Sequence, residues 1–582
     1  MAVRQPPDIR SVLVRVLRAG VYVAPVLPLY VSPSLLFPYV TGRNFAFRIL
    51  IELLLIPLAA LWALSKRDRP SRSPLAIALL VFVTGVGLAD VLGVDPYRSF
   101  WSTYQRMAGL LGLIHFALFF FILKTALDTR DAWMRYFSVS VAASVVVGLM
   151  ALVELAVFRS ADVVERPAGT IGNAGILAGY AMLHVFLGLA VAAHERRPGI
   201  RRLLIASVAF NVLLVVLTGT RAAALGLLVA APAIAVGWPR PRAFRAIAAS
   251  RFARTAAVIV AAGLAAVLVT QEVPFRANFE RAGAGTGAMR LVLWSSAWQA
   301  AQERPWTGWG QESLPLVRDR YHARLPGENS ADRTHNAVLD WLVAGGIPVL
   351  IAYLVLLILL VRRIWALAKS DARTAAALGG LVTAYFVFSL LWFDTLESQL
   401  VLMSVMAFAD GPAGRVPAAD PVPEGPRRWS TGAAIATTLV ALMALAAAYG
   451  FNLRPMLLAR DVIAGSNAWL ADRNLTRSLA YFERAFAYRG LRSEEAIETM
   501  AGHVPQVVAT RADIQPLEVK AFVDRAIGEL GALTASPAVE VRHLRLLGTT
   551  AGSASRLDPA HRRLAVESFN RAIELSPRNE DT

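Results

Sequence analysis

The chain has 582 residues, 56% hydrophobic and only 17% charged, with a net charge of +18 and no cysteine. Soluble domains carry about a quarter charged residues, so a chain this apolar must be solvated by lipid. Its basic residues fall in short clusters between apolar runs, which points to membrane-protein loops and away from nucleic acid; the missing cysteines exclude disulfides, a thiolate nucleophile and cysteine-ligated metal.

The basic start, MAVRQPPDIRSVLVRVLR, leads into a span and not into a cleavage site. A membrane helix needs about 20 mostly apolar residues. Such runs lie near 20–38, 46–64, 75–93, 107–123, 137–157, 172–193, 203–217, 222–237, 255–270, 337–360, 375–392, 396–409 and 432–450. The expected fold is therefore all-α, a polytopic bundle of 12–13 transmembrane helices. Alternate loops differ in charge. The N-terminus with 65–74, 124–135, 194–202, 238–254, 361–373 and 410–430 holds 27 Lys and Arg, against 7 in 39–48, 90–106, 158–170, 218–221 and 393–399. The basic set is expected in the cytoplasm. That places the long loop 271–334 and the tail 451–582 in the periplasm of a bacterial inner membrane. The expected division is a membrane core 1–410, a cytoplasmic linker 411–431, a final span 432–450 and the tail 451–582.

The tail is more charged and shows helical periodicity without membrane-length runs. Phe482-Glu483-Arg484-Ala485, Phe522-Val523-Asp524-Arg525-Ala526 and Phe569-Asn570-Arg571-Ala572 resemble one another. Tetratricopeptide-type hairpins repeat at about 34 residues; the longer, uneven spacing here reads as degenerate copies, with a plain helical bundle as the alternative. Such a tail is expected to hold a protein partner and not to catalyse, so its removal should leave the chemistry intact.

Polar residues at membrane depth or on the lumenal face are costly and therefore functional candidates. Thr218-Gly219-Thr220-Arg221 precedes an apolar helix, and a helix start with an Arg suits an anion. Arg290 opens a segment in which Leu291, Trp294 and Trp298 share one helical face, suited to headgroup depth. Arg304-Pro305-Trp306-Thr307-Gly308-Trp309-Gly310-Gln311 is a Pro/Gly turn whose rings could stack on sugars or anchor at the interface. His335 and Asn336 stand where the long loop enters a membrane helix, a position that favours a neutral imidazole able to act as a base. Arg166 and Asn173 bracket another glycine-rich turn. A structural role, as anchor or cap, is the alternative for each. No HExxH, phosphate-binding loop or dinucleotide fingerprint occurs, and Thr41-Gly42-Arg43-Asn44 lacks a carboxylate. No catalytic metal and no cofactor are expected.

The ordered set Arg166, Gly169-Thr170, Gly172-Asn173, Thr218-Gly219-Thr220-Arg221, Arg290-Leu291, Leu293-Trp294, Pro305-Trp306-Thr307-Gly308-Trp309-Gly310, His335-Asn336 and Gly346 resembles the O-antigen ligase / O-antigen polymerase superfamily of membrane glycosyltransferases. The resemblance spans roughly 75–410. Ligases of this family carry Gly-x-x-Gly after the His-Asn pair; here Gly346 is present and position 349 is Val. The resemblance implies a GT-C-like membrane fold and metal-independent, inverting transfer of a glycan from undecaprenyl pyrophosphate to an acceptor hydroxyl in the periplasm. That acceptor is lipid A–core for a ligase, a second lipid-linked repeat for a polymerase, or protein Ser/Thr for an oligosaccharyltransferase. It also implies His335 as base and Arg221 on the pyrophosphate, with Arg290, Arg166, Asn173, Trp309, Gln311 and Asn336 binding substrate. A secondary transporter or flippase is the rival of another class, and a non-catalytic envelope scaffold a second. A transporter would hold its cavity at the midplane.

Overall fold

The computed structural model describes residues 9–65, 68–69, 72–158, 166–237, 286–321, 331–411, 430–488, 494–511, 514–536 and 538–576, and among them only helices, turns and loops occur. Nine of the described helical segments are long and apolar enough to cross a membrane, and Leu110–Ala126 and Arg221–Pro232 are shorter apolar helices. The chain is a polytopic all-α membrane protein. In order come α1 (Ile9–Val21), a 3-10 turn (Ala24–Leu29), α2 (Thr41–Leu64), α3 (Pro74–Leu92), the short α4 (Pro96–Trp101), α5 (Leu110–Ala126), α6 (Arg130–Phe158), α7 (Ala174–His194), α8 (Pro198–Thr218) and α9 (Arg221–Gly237). After the long loop begins come α10 (Thr286–Glu303), α11 (Leu314–Tyr321), α12 (Ala337–Ala368), α13 (Ala372–Ser389), α14 (Leu396–Asp410) and α15 (Thr431–Ala447).

Among the described residues the apolar runs are helices with modest shifts of boundary, except the first. The expected span 20–38 is replaced by Ile9–Leu29. Pro25 and Pro28 sit in the 3-10 turn, and the chain leaves helix at Tyr30. A proline cannot donate to the helical ladder, so the run of prolines through Pro38 is loop. The expected span 255–270 and linker residues 412–429 lie outside the described residues.

Two polar belts tie the helix ends together. At one end Asp410 accepts from Lys124 and Ser73 and pairs with Arg363 at 3.2 Å, while Arg130 pairs with Asp371. At the other, Arg43 on α2 bonds Glu397 on α14 and the carbonyl of Thr170. Asn452 donates to Glu52 at 2.8 Å. Buried charge is tolerated only with such partners. The starts of α2, α5, α7, α9, α12 and α14 gather at this second end, with the finish of α3, α8 and α13. Leu439, Leu442 and Met443 on α15 stay exposed, an apolar face left to lipid.

α15 does not stop at 450. It continues through a π turn (Ala448–Leu453) into α16 (Arg454–Leu470), followed by α17 (Leu475–Ala487), α18 (Glu494–Ala509), α19 (Pro516–Thr534), α20 (Val541–Ala554) and α21 (Pro559–Leu575). These pack as helix hairpins. A Cβ on Gly465 of α16 would come within 3.0 Å of the Phe482 ring on α17, and one on Gly548 of α20 within 2.8 Å of Phe569 on α21. Two of the three resembling segments thus use Phe to fill the space over a glycine of the preceding helix.

The tail is not detached. Leu35, Leu36, Phe45, Tyr104 and Met107 of the bundle share one apolar core with Leu458, Met500 and Phe522 of the tail. Tyr104 donates its hydroxyl to Pro455 O at 2.8 Å and its N–H to Glu495 at 2.6 Å, and buried Arg98 pairs with Glu540. Packed in this way, the tail also bears on the stability of the bundle. Each large side chain uncovered forfeits about 1.5–3 kcal/mol. Ending the chain after Leu453 is expected to lower the melting temperature of the detergent-solubilised bundle and open residues 95–109 to protease. An unchanged melting curve and cleavage pattern would contradict this packing.

Candidate functional site

The turn between α8 and α9 is built for a cation at a helix start. α8 ends on Gly219 in the left-handed region, φ +60°, so the chain reverses in four residues and α9 begins on Arg221. Arg166, arriving from the α6–α7 loop, braces the turn: its Nε donates to Thr218 O at 2.6 Å and its Nη2 to Thr220 Oγ1 at 2.8 Å. The first N–H groups of α9 and the half-buried guanidinium of Arg221 therefore share one place. Arg290 on α10 lies within the field of Arg221; burial first, and then Arg221, pull its guanidinium below the usual range.

His335 is held by its neighbours. Thr334 is buried, receives the Trp294 indole N–H on its carbonyl at 2.9 Å, and bonds Asp340 through its own N–H (2.9 Å) and hydroxyl (2.8 Å). Asn336 caps α12, its Oδ1 accepting from Val338 and Leu339. Between these two fixed residues His335 adopts φ +55°. That conformation is uncommon for a non-glycine residue, and its cost of about 1 kcal/mol or more is held in place by the flanking bonds. The ring lies 5.3 Å from Phe393 and 5.5 Å from Trp392, and its Nδ1 is buried without a hydrogen-bond partner. Burial, then Arg290 and Arg106, push the imidazole down to about 4, so it is neutral at ordinary pH.

Arg106, Asp332, Arg333 and Glu312 surround it, and sequence reasoning did not single them out. Arg106 forks onto Asp332 at 2.5 and 2.8 Å and lies 4.4 Å above the Phe393 ring. Arg333 bonds Glu312, which also accepts from Ser102 at 3.0 Å. The partners stand 226 and 210 residues apart for Arg106 and Ser102, so no local pattern marks them.

The Pro/Gly turn has a mechanical use. α12 is broken at Gly346, φ +66°, and the turn docks into the break. Trp309 N donates to Val343 O (2.8 Å), Gly310 N to Ala344 O (2.9 Å), and Ile347 N to Pro305 O (2.7 Å). A Cβ on Gly346 would meet Pro305 O at 2.5 Å, so only glycine allows this approach. Trp309 is buried, donates to Ala300 O at 2.9 Å and is covered by Arg304 at 4.7 Å. It packs the loop and offers no open face to a sugar. The turn delivers Gln311, whose backbone is fixed by Asp90 and Ser99, both at 2.8 Å. Its side chain is buried and lines a cavity of about 90 Å³.

Of the residues expected to act, Arg290 lies within electrostatic reach of both Arg221 and His335. Asn173 and Asn336 are occupied as caps of α7 and α12, accepting from two backbone N–H groups each, and Arg166 braces the 218–221 turn. Among the described residues no three His, Asp or Glu side chains converge as metal ligands.

Residues 206–354 match the family model described as O-antigen ligase. This match supports membership of the O-antigen ligase/polymerase superfamily. No curated protein matches it. The O-antigen ligase segment contains the 218–221 turn, Arg290, Gln311 and the His335-Asn336 pair. The match supports a ligase/polymerase-type function in a general sense, in keeping with the membrane-spanning helices.

Proposed function

We propose that the chain moves a glycan from undecaprenyl pyrophosphate to an acceptor hydroxyl on the periplasmic face of the inner membrane, as an O-antigen ligase acting on lipid A–core. The observation that carries this reading is that Arg290 lies within electrostatic reach of both Arg221 and a neutral His335 at one end of the bundle. Pyrophosphate departing from an anomeric carbon needs fixed positive charge; the two guanidinium groups and the α9 N-terminus supply it. The acceptor O–H gives its proton to the His335 imidazole as its oxygen bonds C1. The C1–O bond to phosphate breaks, and lipid pyrophosphate leaves with the pair of electrons. One displacement inverts the anomeric centre, and no metal is needed. A bound pyrophosphate would also cancel the field of Arg290 on His335, so the base strengthens when the donor is seated.

The cavity beside the site is lined by the first turns of α5, α12 and α14, at a helix end and not at the midplane expected of a transporter. The 27-to-7 charge asymmetry supports the orientation: a phosphatase fused after residue 476 is expected to be active, and an inactive one there with a fluorescent cytoplasmic reporter would overturn it. The tail is then periplasmic, and its hairpins are available to a protein partner.

The reading is tested with purified protein, lipid-linked oligosaccharide, chelator, and three separate acceptors: core lipid, a second lipid-linked unit and a Ser/Thr peptide. Transfer to core lipid with release of undecaprenyl pyrophosphate is expected. Transfer only to the second unit or only to peptide would replace the ligase reading by polymerase or protein oligosaccharyltransferase; no transfer at all would remove it.

The lowered His335 value makes a pH prediction. A depressed imidazole is the free base above about 4, so kcat/KM should fall on the acid side only near that value. Arg106→Gln removes one cation and unmasks the Asp332 carboxylate, both of which raise the imidazole. The acid limb should move up toward 6.5. A limb that stays or moves down, in a full pH–kcat/KM profile, would contradict the assignment of His335 as the titrating base.

A further inference from the structure

The end of the bundle away from His335 holds an open polar cavity of about 620 Å³, between the α7–α8 loop and the α12–α13 turn. That volume lies within the range of clefts that bind small molecules, about 300–1,000 Å³. Its lining carries two carboxylates, Glu195 and Asp371, the His194 imidazole, and the guanidinium groups of Arg196, Arg201 and Arg373. The carboxylates are already engaged. Glu195 accepts from the Arg197 side chain at 2.9 and 3.1 Å and from the Arg197 backbone N–H at 2.8 Å. Asp371 pairs with Arg130 and caps α13 through Thr374 N at 3.1 Å. His194 bonds Asp131 at 3.3 Å. Arg196, Arg201 and Arg373 have no carboxylate partner among the described residues. Three cations from two separate stretches of chain therefore line one cavity with no anion of the protein to balance them.

Guanidinium groups suit phosphate oxygens, and the surroundings identify which phosphate. α8 enters the membrane directly after Arg201, with Leu203 71% exposed and Ile205 exposed, and α12 leaves it past Trp365, 75% exposed. In a chain that spans a membrane such faces are left to acyl chains, and a Trp near a helix end sits at headgroup depth. A phosphate on these guanidinium groups stands over an apolar surface that continues along α8 into the membrane. Basic pockets between helix ends are places where anionic headgroups bind. The engaged carboxylates discriminate between lipids: an ethanolamine ammonium finds no open anion here, whereas a phosphate with uncharged hydroxyls needs none. We propose that this cavity binds the phosphoglycerol headgroup of an anionic phospholipid, with Arg196, Arg201 and Arg373 on its phosphate oxygens. The bound lipid clasps the α7–α8 loop to the α12–α13 turn. The site stands apart from Arg221 and His335 and does not depend on the transfer reaction.

Binding of phosphatidylglycerol and of phosphatidylethanolamine to the full, delipidated chain in neutral detergent tests this, read by native mass spectrometry and by melting temperature. The variants are Arg201→Gln/Arg373→Gln and, on the exposed loop, Arg196→Gln, which keeps the test open should the double variant unfold. Arg15→Gln/Arg69→Gln removes the same charge from outside the cavity and serves as control. The wild-type chain is expected to prefer phosphatidylglycerol and to melt at a higher temperature when that lipid is bound. The double variant should weaken phosphatidylglycerol binding by about tenfold or more. Arg196→Gln should weaken it as well, the control pair should leave it unchanged, and all lipid-free melting temperatures should match wild type. Equal binding of the two lipids, unchanged binding in both cavity variants, or an equal loss in the control pair would overturn the site. Displacement of phosphatidylglycerol by inorganic phosphate would assign the cavity to a soluble anion and overturn the lipid.

Discussion

His335→Ala is expected to lower transfer by roughly a hundred- to ten-thousand-fold, the usual worth of a positioned general base. The geometry makes this a clean experiment. His335 contributes no cap and its Nδ1 has no hydrogen-bond partner, so the loss breaks no bond at that atom and removes only the ring's packing on Trp392 and Phe393. Thr334 and Asn336 keep the backbone in place through their own bonds to Asp340, Trp294 and the first turn of α12. The one structural burden is φ +55°, which Asn tolerates better than Ala. His335→Asn should therefore match wild type in melting temperature and match His335→Ala in its loss of turnover. Near-normal turnover in either purified variant would refute the role.

Arg221→Ala is the second large effect. Losing one preorganised charge-stabilising donor costs about a hundred- to a thousand-fold. Arg221 opens α9, so the cation and the helix N-terminus act on the same group; removing the side chain also leaves Arg290 to hold the pyrophosphate alone. Arg221→Lys should fail substantially as well, because a point charge on a flexible stem does not reproduce a planar two-pronged grip. Recovery of more than about half the wild-type rate in the Lys variant would show that charge alone suffices. Arg166 braces the turn that carries Arg221 through its bonds to Thr218 and Thr220.

Most of the helical frame could be read from the sequence because lipid demands about 20 apolar residues per crossing, and the chain meets that demand in runs separated by Lys and Arg. The first span was misplaced because hydropathy alone ignores what Pro25 and Pro28 do to a helix. In the proposed site, Arg221, Arg290 and His335 stand out in the sequence because charge at a membrane helix start is costly and needs a reason. Asn173 and Asn336 carry a second signal beside the first: an Asn just ahead of an apolar helix is a cap, and both are. Trp309 looked like a platform, yet its turn docks into the Gly346 break and buries the ring. The salt-bridge frame of Arg106, Asp332, Arg333 and Glu312, and the docking of the tail on Tyr104, are products of chain folding between distant segments. Neither leaves a periodicity or spacing to read.

The division of labour between cation and base is the core of this account, and capture of undecaprenyl pyrophosphate by the same purified preparations tests it most directly. His335→Ala should bind the lipid pyrophosphate about as tightly as the wild-type chain while transferring no glycan, and Arg221→Ala should lose that capture. Weak capture in His335→Ala together with normal capture in Arg221→Ala would contradict the assignment.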